Sequence, residues 1–158
     1  MALTLRFFTT IAAITFALAT NAQLVDKKSL TLDAAQKIAA ASLAEARANN
    51  LNLVIAIVDD GGHLITLSRM ETAQYGSVDV AIAKAKTAAA FRRPTKLFED
   101  MAKSRPTLAT IANASLLEGG VPIIHNGQVI GAVGISGATA QQDTQVAETG
   151  INSLGLTK

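Results

Sequence analysis

The chain has 158 residues, 49% of them hydrophobic, and its 14 lysines and arginines nearly balance its 12 aspartates and glutamates. These proportions are typical of one folded domain and exclude a disordered chain. Because the sequence has no cysteine, disulfide scaffolds, thiolate metal sites and a cysteine nucleophile are also excluded. A net charge of +2, scattered basic residues and 4% aromatic residues argue against nucleic-acid binding.

The first 22 residues have the pattern of a signal peptide. Arg6 precedes an apolar run from Phe7 to Ala19, and the next three residues, ending at Ala22, suit signal peptidase. The alternative is a retained membrane anchor, but about 13 apolar residues fall short of the roughly 20 that span a bilayer. We therefore expect an exported protein, periplasmic or secreted, with a single domain over residues 23–158 and no stable membrane insertion.

The mature chain begins with a predicted helix and a predicted hairpin. Thr31 is a candidate N-cap for an amphipathic helix that runs to about Asn49. Residues 53–58 form a β-branched run that is apolar on both faces, which predicts a strand covered from both sides. Turn residues at 59–62 lead into a returning strand over 63–70.

An alanine-rich helix is predicted over residues 77–91. Its apolar stripe comprises Val78, Ile82, Ala85 and Ala89, and Lys84 and Lys86 lie off that stripe. Such a surface packs against a partner subunit in some proteins, although a plain buried helix is the more common arrangement. Pro94 ends this helix and opens another that runs through residue 103.

A second hairpin is predicted around Asn126-Gly127, with strands over 121–125 and 128–136. In its second strand Ala132 and Gly134 are small, so another group approaches that face closely. The spacing favours a helix there, and the alternative is a flat ligand. Thr139 is a candidate cap for a last helix over 140–154, with Gln142 near the capping-box position.

This order of elements predicts an α+β fold. Hairpins produce antiparallel strand pairs, and helices on both sides explain the strand that is apolar on both faces. We expect a three-layer α/β/α sandwich around a central antiparallel sheet.

The two histidines, His63 and His125, are the candidate metal ligands. No carboxylate or histidine lies near either at ligand spacing, which argues against a zinc site. Haem needs only one axial ligand from the protein, so a single histidine is sufficient. The alternative for each is an exposed residue at a strand end.

A second candidate site lies where Gly137 leads into the last helix. Free amides at a helix N-terminus favour a carboxylate or a phosphate, and the alternative is ordinary capping by Thr139. Three basic residues around Pro94 could neutralise the same anion, or they are simply solvated. They are Arg92, Arg93 and Lys96.

Five segments resemble the GlcG/HbpS family, which also occurs as the C-terminal domain of PduO-type proteins. They are Ile57-Val-Asp-Asp-Gly-Gly-His-Leu64, Ser68-Arg-Met-Glu71, residues 81–91 with Pro94-Thr95, Gly119-Gly-Val-Pro-Ile123 and Gly131-Ala-Val-Gly-Ile-Ser-Gly-Ala138. The likeness covers nearly all of residues 29–156.

The resemblance implies a profilin-like antiparallel sheet, assembly into homo-oligomers and haem binding. Some members are described as extracytoplasmic haem sensors or haem-degrading proteins. In some members the haem ligand lies near the start of the mature domain, but residues 23–50 contain no histidine here. This difference leaves His63, His125 or binding without a protein ligand.

We therefore expect an exported haem-binding protein for sensing, storing or degrading haem, with Arg92, Arg93 or Lys96 pairing the propionates. Gly134 and Gly137 are further candidate binding residues, because a flat or acidic ligand can approach them closely. The alternatives are an enzyme that acts on a small organic acid at Gly137, and a non-catalytic partner of a sensor or transport system.

Overall fold

The computed structural model describes residues 25–156. The signal peptide predicted over residues 1–22 lies outside the described residues. Every helix of the described part is too short or too polar to cross a membrane.

The described residues form four α-helices and four strands. In chain order they are α1 (Leu32–Ala48), β1 (Val54–Asp59), β2 (Leu64–Arg69), α2 (Ser77–Phe91), α3 (Thr95–Ser104), β3 (Gly120–His125), β4 (Gln128–Ser136) and α4 (Ala140–Asn152). A short 3-10 helix, Pro106–Thr110, follows α3. The order is the one predicted from the sequence, and the boundaries differ by a residue or two.

The four strands form one antiparallel sheet in the order β2-β1-β4-β3. β1 lies in its interior, and residues 54–58 are completely buried. This burial confirms that the apolar run is covered on both faces.

Helices cover both faces of the sheet. α2 packs on β1, β3 and β4, whereas α1 and α4 pack on each other and on the opposite face. The contact between α1 and α4 is close at Gly150, where an added Cβ would lie 2.9 Å from the carbonyl oxygen of Ile38. The predicted three-layer sandwich, an α+β fold, is confirmed.

Gly134 of β4 faces α2. A Cβ at this position would overlap the carbonyl oxygen of Ala81 and lie 2.5 Å from the amide nitrogen of Ala85. The helix therefore approaches the small face of the strand, as the spacing favours, and α2 fills the space proposed for a flat ligand at Gly134.

One end of the sheet carries both hairpin turns. Asp59, the last residue of β1, pairs with Gly131 near the start of β4, so the β1–β2 turn and the β3–β4 turn lie at the same end. We call this the hairpin end of the sheet.

β3 is an edge strand with a protected edge. Pro122 has no N–H to donate, and the Gly120 N–H donates to the Thr95 hydroxyl at 2.9 Å. These features discourage pairing with a further strand. They leave the side chains of β3 as the wall of a groove.

Candidate functional site

Two adjoining cavities follow the β3 edge toward the hairpin end. They have volumes of about 600 and 350 Å³, and Arg92 and Ile124 line both. We call the two cavities together the edge groove. The first has apolar walls formed by Val121, Pro122, Ile124, Ile151 and Leu156, and Glu148 also lines it.

The second cavity of the edge groove is lined by three basic residues and by the two acidic residues Asp26 and Asp60. Residues 25–28 line it together with Asp60, Arg92 and hairpin residues 127–129. Lys27 forms an ion pair with Asp60. Within residues 25–156, Arg92 and Lys28 form no ion pair, so both positive charges are available to an anion.

Arg92 ends α2 in the left-handed conformation, with φ of 54°. Its N–H donates to the Ala88 and Ala89 carbonyls, a position at which glycine is the common residue. A non-glycine residue in this region carries backbone strain, and such strain concentrates at ligand sites. The chain thus places a charged side chain between the two cavities despite this cost.

The other two predicted cations lie outside the edge groove. Lys96 donates to the Asp100 carboxylate at 2.7 Å and lies 3.9 Å from Glu118. The Asp100 hydrogen bond raises the pKa of Lys96, whose charge is already compensated. Arg93 is exposed and lines neither cavity. Of the three cations proposed for the propionates, Arg92 alone borders the groove.

His63 lines neither cavity of the edge groove, although Asp60 of the same turn lines the second. The His63 side chain is 84% exposed in the β1–β2 turn, with Nδ1 3.5 Å from the Asp59 carboxylate. That carboxylate accepts the N–H groups of His63 at 2.8 Å and Gly61 at 2.9 Å. These bonds, the one from His63 first, lower the pKa of Asp59.

His125 is the last residue of β3 and lines neither cavity, but it follows Ile124 and lies two residues before Gly127, which both line the second cavity. Its Nδ1 is buried and has no hydrogen-bond partner among the described residues. Its Nε2 lies 3.4 Å from the Asn126 amide nitrogen. Buried polar atoms without partners are rare, so this imidazole is the better candidate for contact with a ligand.

No group of three or more metal-ligating side chains within residues 25–156 could hold a metal ion. The two histidines belong to different hairpins. Iron coordination therefore requires a group, such as haem, that brings most of its own ligands.

The N-terminus of α4 is occupied by the chain's own side chains. The Ala138 N–H donates to the Asp143 carboxylate at 3.1 Å, and Thr139 and Gln142 form the predicted capping box. An added Cβ at Gly137 would lie 2.5 Å from the Asn52 carbonyl oxygen. This arrangement is the ordinary capping alternative, and it removes support for an organic-acid site at Gly137.

A buried ion pair connects α2 to α4, and the sequence did not reveal it. Lys84 Nζ donates to the Asp143 carboxylate and to the Ile135 carbonyl, both at 2.8 Å. The predicted stripe of α2 does face the core, since Ala85 and Ala89 are buried and the half-buried Val78 and Ile82 pack against it. The prediction that Lys84 lies off the buried face was wrong, because Lys84 is buried as well. Burial raises the pKa of Asp143, although the hydrogen bond from Lys84 acts in the opposite direction and lowers it.

Comparisons with known proteins point to one family. Residues 30–152 match the family described as "Haem degrading protein HbpS-like". Protein GlcG of Escherichia coli K12 is 46% identical over 108 residues, which cover 68% of this chain and 81% of GlcG.

Two solved structures share the fold. A double mutant of HbpS from Streptomyces reticuli has a TM-score of 0.80 and 31% identity, covering 91% of this chain and 99% of that one. A PduOC:heme complex has a TM-score of 0.76 and 25% identity, covering 82% of this chain and 98% of that one.

Proposed function

This chain belongs to the HbpS-like family, and from that premise we propose that it is an exported haem-binding protein. The observation that carries the proposal is the edge groove, where apolar walls meet two cations, Arg92 and Lys28, that form no ion pair with a described residue. The haem bound by a structural relative supports this choice of ligand.

The residues of the edge groove fit the chemistry of haem. Haem supplies a flat apolar macrocycle, two acidic propionates and an iron with open axial positions. Both cavity volumes fall within about 300–1,000 Å³, the usual range for small-molecule sites. Ile124, Ile151 and Leu156 offer apolar surface whose burial favours binding.

The charges around the groove favour one orientation of the ligand. Arg92 and Lys28 line the second cavity and attract the acidic edge of the macrocycle. Glu148 lines the first cavity and repels that edge. We therefore place the propionates toward the hairpin end and the apolar edge among Val121, Ile151 and Leu156.

We propose His125, and not His63, as the axial ligand. His125 is flanked by groove residues and has a buried ring nitrogen without a partner among the described residues. His63 is exposed and lies beside Asp59. Neither histidine lines a cavity of the edge groove, so the assignment rests on the unpartnered ring nitrogen of His125 and on the groove residues that flank it in the chain.

The proposal includes export and self-association. Export rests on the pattern of residues 1–22, and a homo-oligomer rests on the resemblance to the GlcG/HbpS family. Sequencing the N-terminus of protein from the periplasm tests the first, and light scattering after gel filtration tests the second. Uncleaved protein or a monomer would contradict the corresponding statement.

Titration of the purified protein with haemin tests the proposed ligand. We expect a saturable Soret band distinct from that of free haemin. His125→Ala should change the bound spectrum and His63→Ala should leave it unchanged. A spectrum of free haemin throughout would overturn haem binding, and equal spectra for the His125 variant and the parent would overturn the axial assignment.

The same complex separates storage or sensing from degradation. With oxygen and a reductant such as ascorbate, degradation predicts loss of the Soret band and release of iron. A stable band under these conditions would assign the protein to haem storage or sensing.

A further inference from the structure

Residues 25–28 form one wall of the second cavity and approach the β3–β4 hairpin. They follow a path across the hairpin end of the sheet. Leu30 lies near Gly131, with its Cδ2 3.3 Å from the place a Cβ would take there, whereas Ala89 and Arg92 of α2 line the cavity. We call residues 25–29 the N-terminal strap.

The N-terminal strap has few attachments. Leu30, which follows it, is 7% exposed and fixes its C-terminal end in the core. Residues 25–29 make no backbone hydrogen bond with any other described residue. Val25 is 84% exposed. A segment with so few contacts opens at a small cost in free energy.

One ion pair attaches the strap to the rest of the described chain. Lys27 Nζ donates to the carboxylate of Asp60 in the β1–β2 turn. The Asp60 side chain is 18% exposed and Lys27 is 69% exposed. The turn itself is held by Asp59, which accepts two N–H groups beside Asp60. Asp60 is therefore a fixed anchor for a loose segment.

We propose that the N-terminal strap gates the edge groove and that the Lys27–Asp60 pair holds the gate closed. This inference rests on the proposed function, because the gated ligand is haem. Lys27 and Asp60 act as positioning residues that keep residues 25–28 over the second cavity. An ion pair with one exposed partner is weak and screened by salt, so the strap opens and closes readily.

A tryptophan placed in the strap reports its mobility without any ligand. The chain contains no tryptophan, so Val25→Trp gives a single tryptophan, which can be excited at wavelengths that Tyr75 does not absorb. In that background Lys27→Gln and Asp60→Asn should each increase the fast local component of the fluorescence anisotropy decay. Lys37→Gln, which removes an exposed charge from α1, should leave the decay unchanged.

Exchanging the two charges distinguishes the ion pair from other effects of substitution. Lys27→Asp combined with Asp60→Lys should restore the anisotropy decay of the Val25→Trp protein. An unchanged anisotropy decay in Lys27→Gln, or failure of the exchanged pair to restore the decay, would overturn the proposal that this ion pair holds the N-terminal strap in place.

Release of haem to excess apomyoglobin tests the gate itself. Lys27→Gln should release haem about two- to fivefold faster than the parent at low salt, as expected for an exposed pair. The exchanged pair should restore the rate, and about 1 M salt should remove the difference. Equal release rates at low salt would overturn gating. Failure of the unaltered protein to bind haem would contradict the proposed function, while the anisotropy test would still decide the tether.

Discussion

The ammonium group of Lys84 on α2 lies 2.8 Å from the carboxylate of Asp143 on α4, and their side chains are 5% and 3% exposed. Lys84 also donates to the Ile135 carbonyl near the end of β4. The pair therefore links the two helical layers at the end of the sheet opposite the hairpin end.

Replacing Lys84 with methionine should destabilise the fold strongly. The substitution leaves Asp143 without its cation in a buried position, which costs about 3–5 kcal/mol. Urea unfolding measures this loss. Lys86→Met on the exposed side of α2 is the matched control and should change stability by no more than about 0.5 kcal/mol. Equal effects of the two substitutions would contradict the buried pair.

Gly134→Ala should also destabilise the protein, because its Cβ meets the backbone of α2 at Ala81 and Ala85. Overpacking of this kind costs about 1–3 kcal/mol. Gly76→Ala is the control, since no atom lies within 4 Å of its added Cβ and its φ of −64° suits alanine. Thermal unfolding of both variants measures this difference in stability. A Gly134→Ala protein as stable as the parent would contradict the close contact with α2.

Arg92→Gly should raise stability and weaken haem binding. Glycine relieves the strain of a φ of 54° and stabilises the fold by up to about 1 kcal/mol. Loss of the guanidinium should weaken the affinity for haem about tenfold. Arg92→Gln should keep the strain and lose the affinity, whereas Arg93→Gln should bind haem normally. Unchanged affinity in both Arg92 variants would remove this residue from the site.

Asp59 should make the stability of the protein depend on pH in the acidic range. Its pKa is lowered below 3.8, mainly by the hydrogen bond from the His63 N–H. The Asp59 carboxyl group therefore binds its proton less tightly in the folded state than in the unfolded state. The stabilisation that ionised Asp59 gives to the fold is present above pH 3.8 and is lost as the pH falls through the pKa of the folded state.

Unfolding at several pH values isolates this contribution. The stability difference between the parent and Asp59→Ala should shrink from about pH 6 to about pH 2. Asp59→Asn keeps an acceptor oxygen but has no titrating group. The difference in stability between Asp59→Asn and Asp59→Ala should therefore stay constant over the same pH range. A stability difference between the parent and Asp59→Ala that increases as the pH falls would contradict the lowered pKa of Asp59.

Local patterns in the sequence predicted most of the fold. The β-branched run over 53–58, the Asn126-Gly127 turn and the Thr139 cap depend on neighbouring residues, and all three have the predicted structure. The small face at Gly134 indicated that another group packs there, and the helix that the spacing favoured is α2.

The site was less predictable because its parts come from distant segments. Residues 25–28, Arg92, Ile124 and Glu148 meet only after the sheet forms. Lys84 is buried because small alanine neighbours bring α2 close to the sheet, which a count of apolar residues does not reveal. The spacing of Lys96 and Asp100 did contain the information that they pair, since i and i+4 residues are neighbours on a helix.

The anomalous signal of iron in crystals grown with haemin tests the location of the ligand most directly. The expected result is an iron peak within the edge groove, bordered by Arg92 and Ile124 and within coordination distance of His125. A haem iron located elsewhere on the protein, with the groove empty, would contradict it.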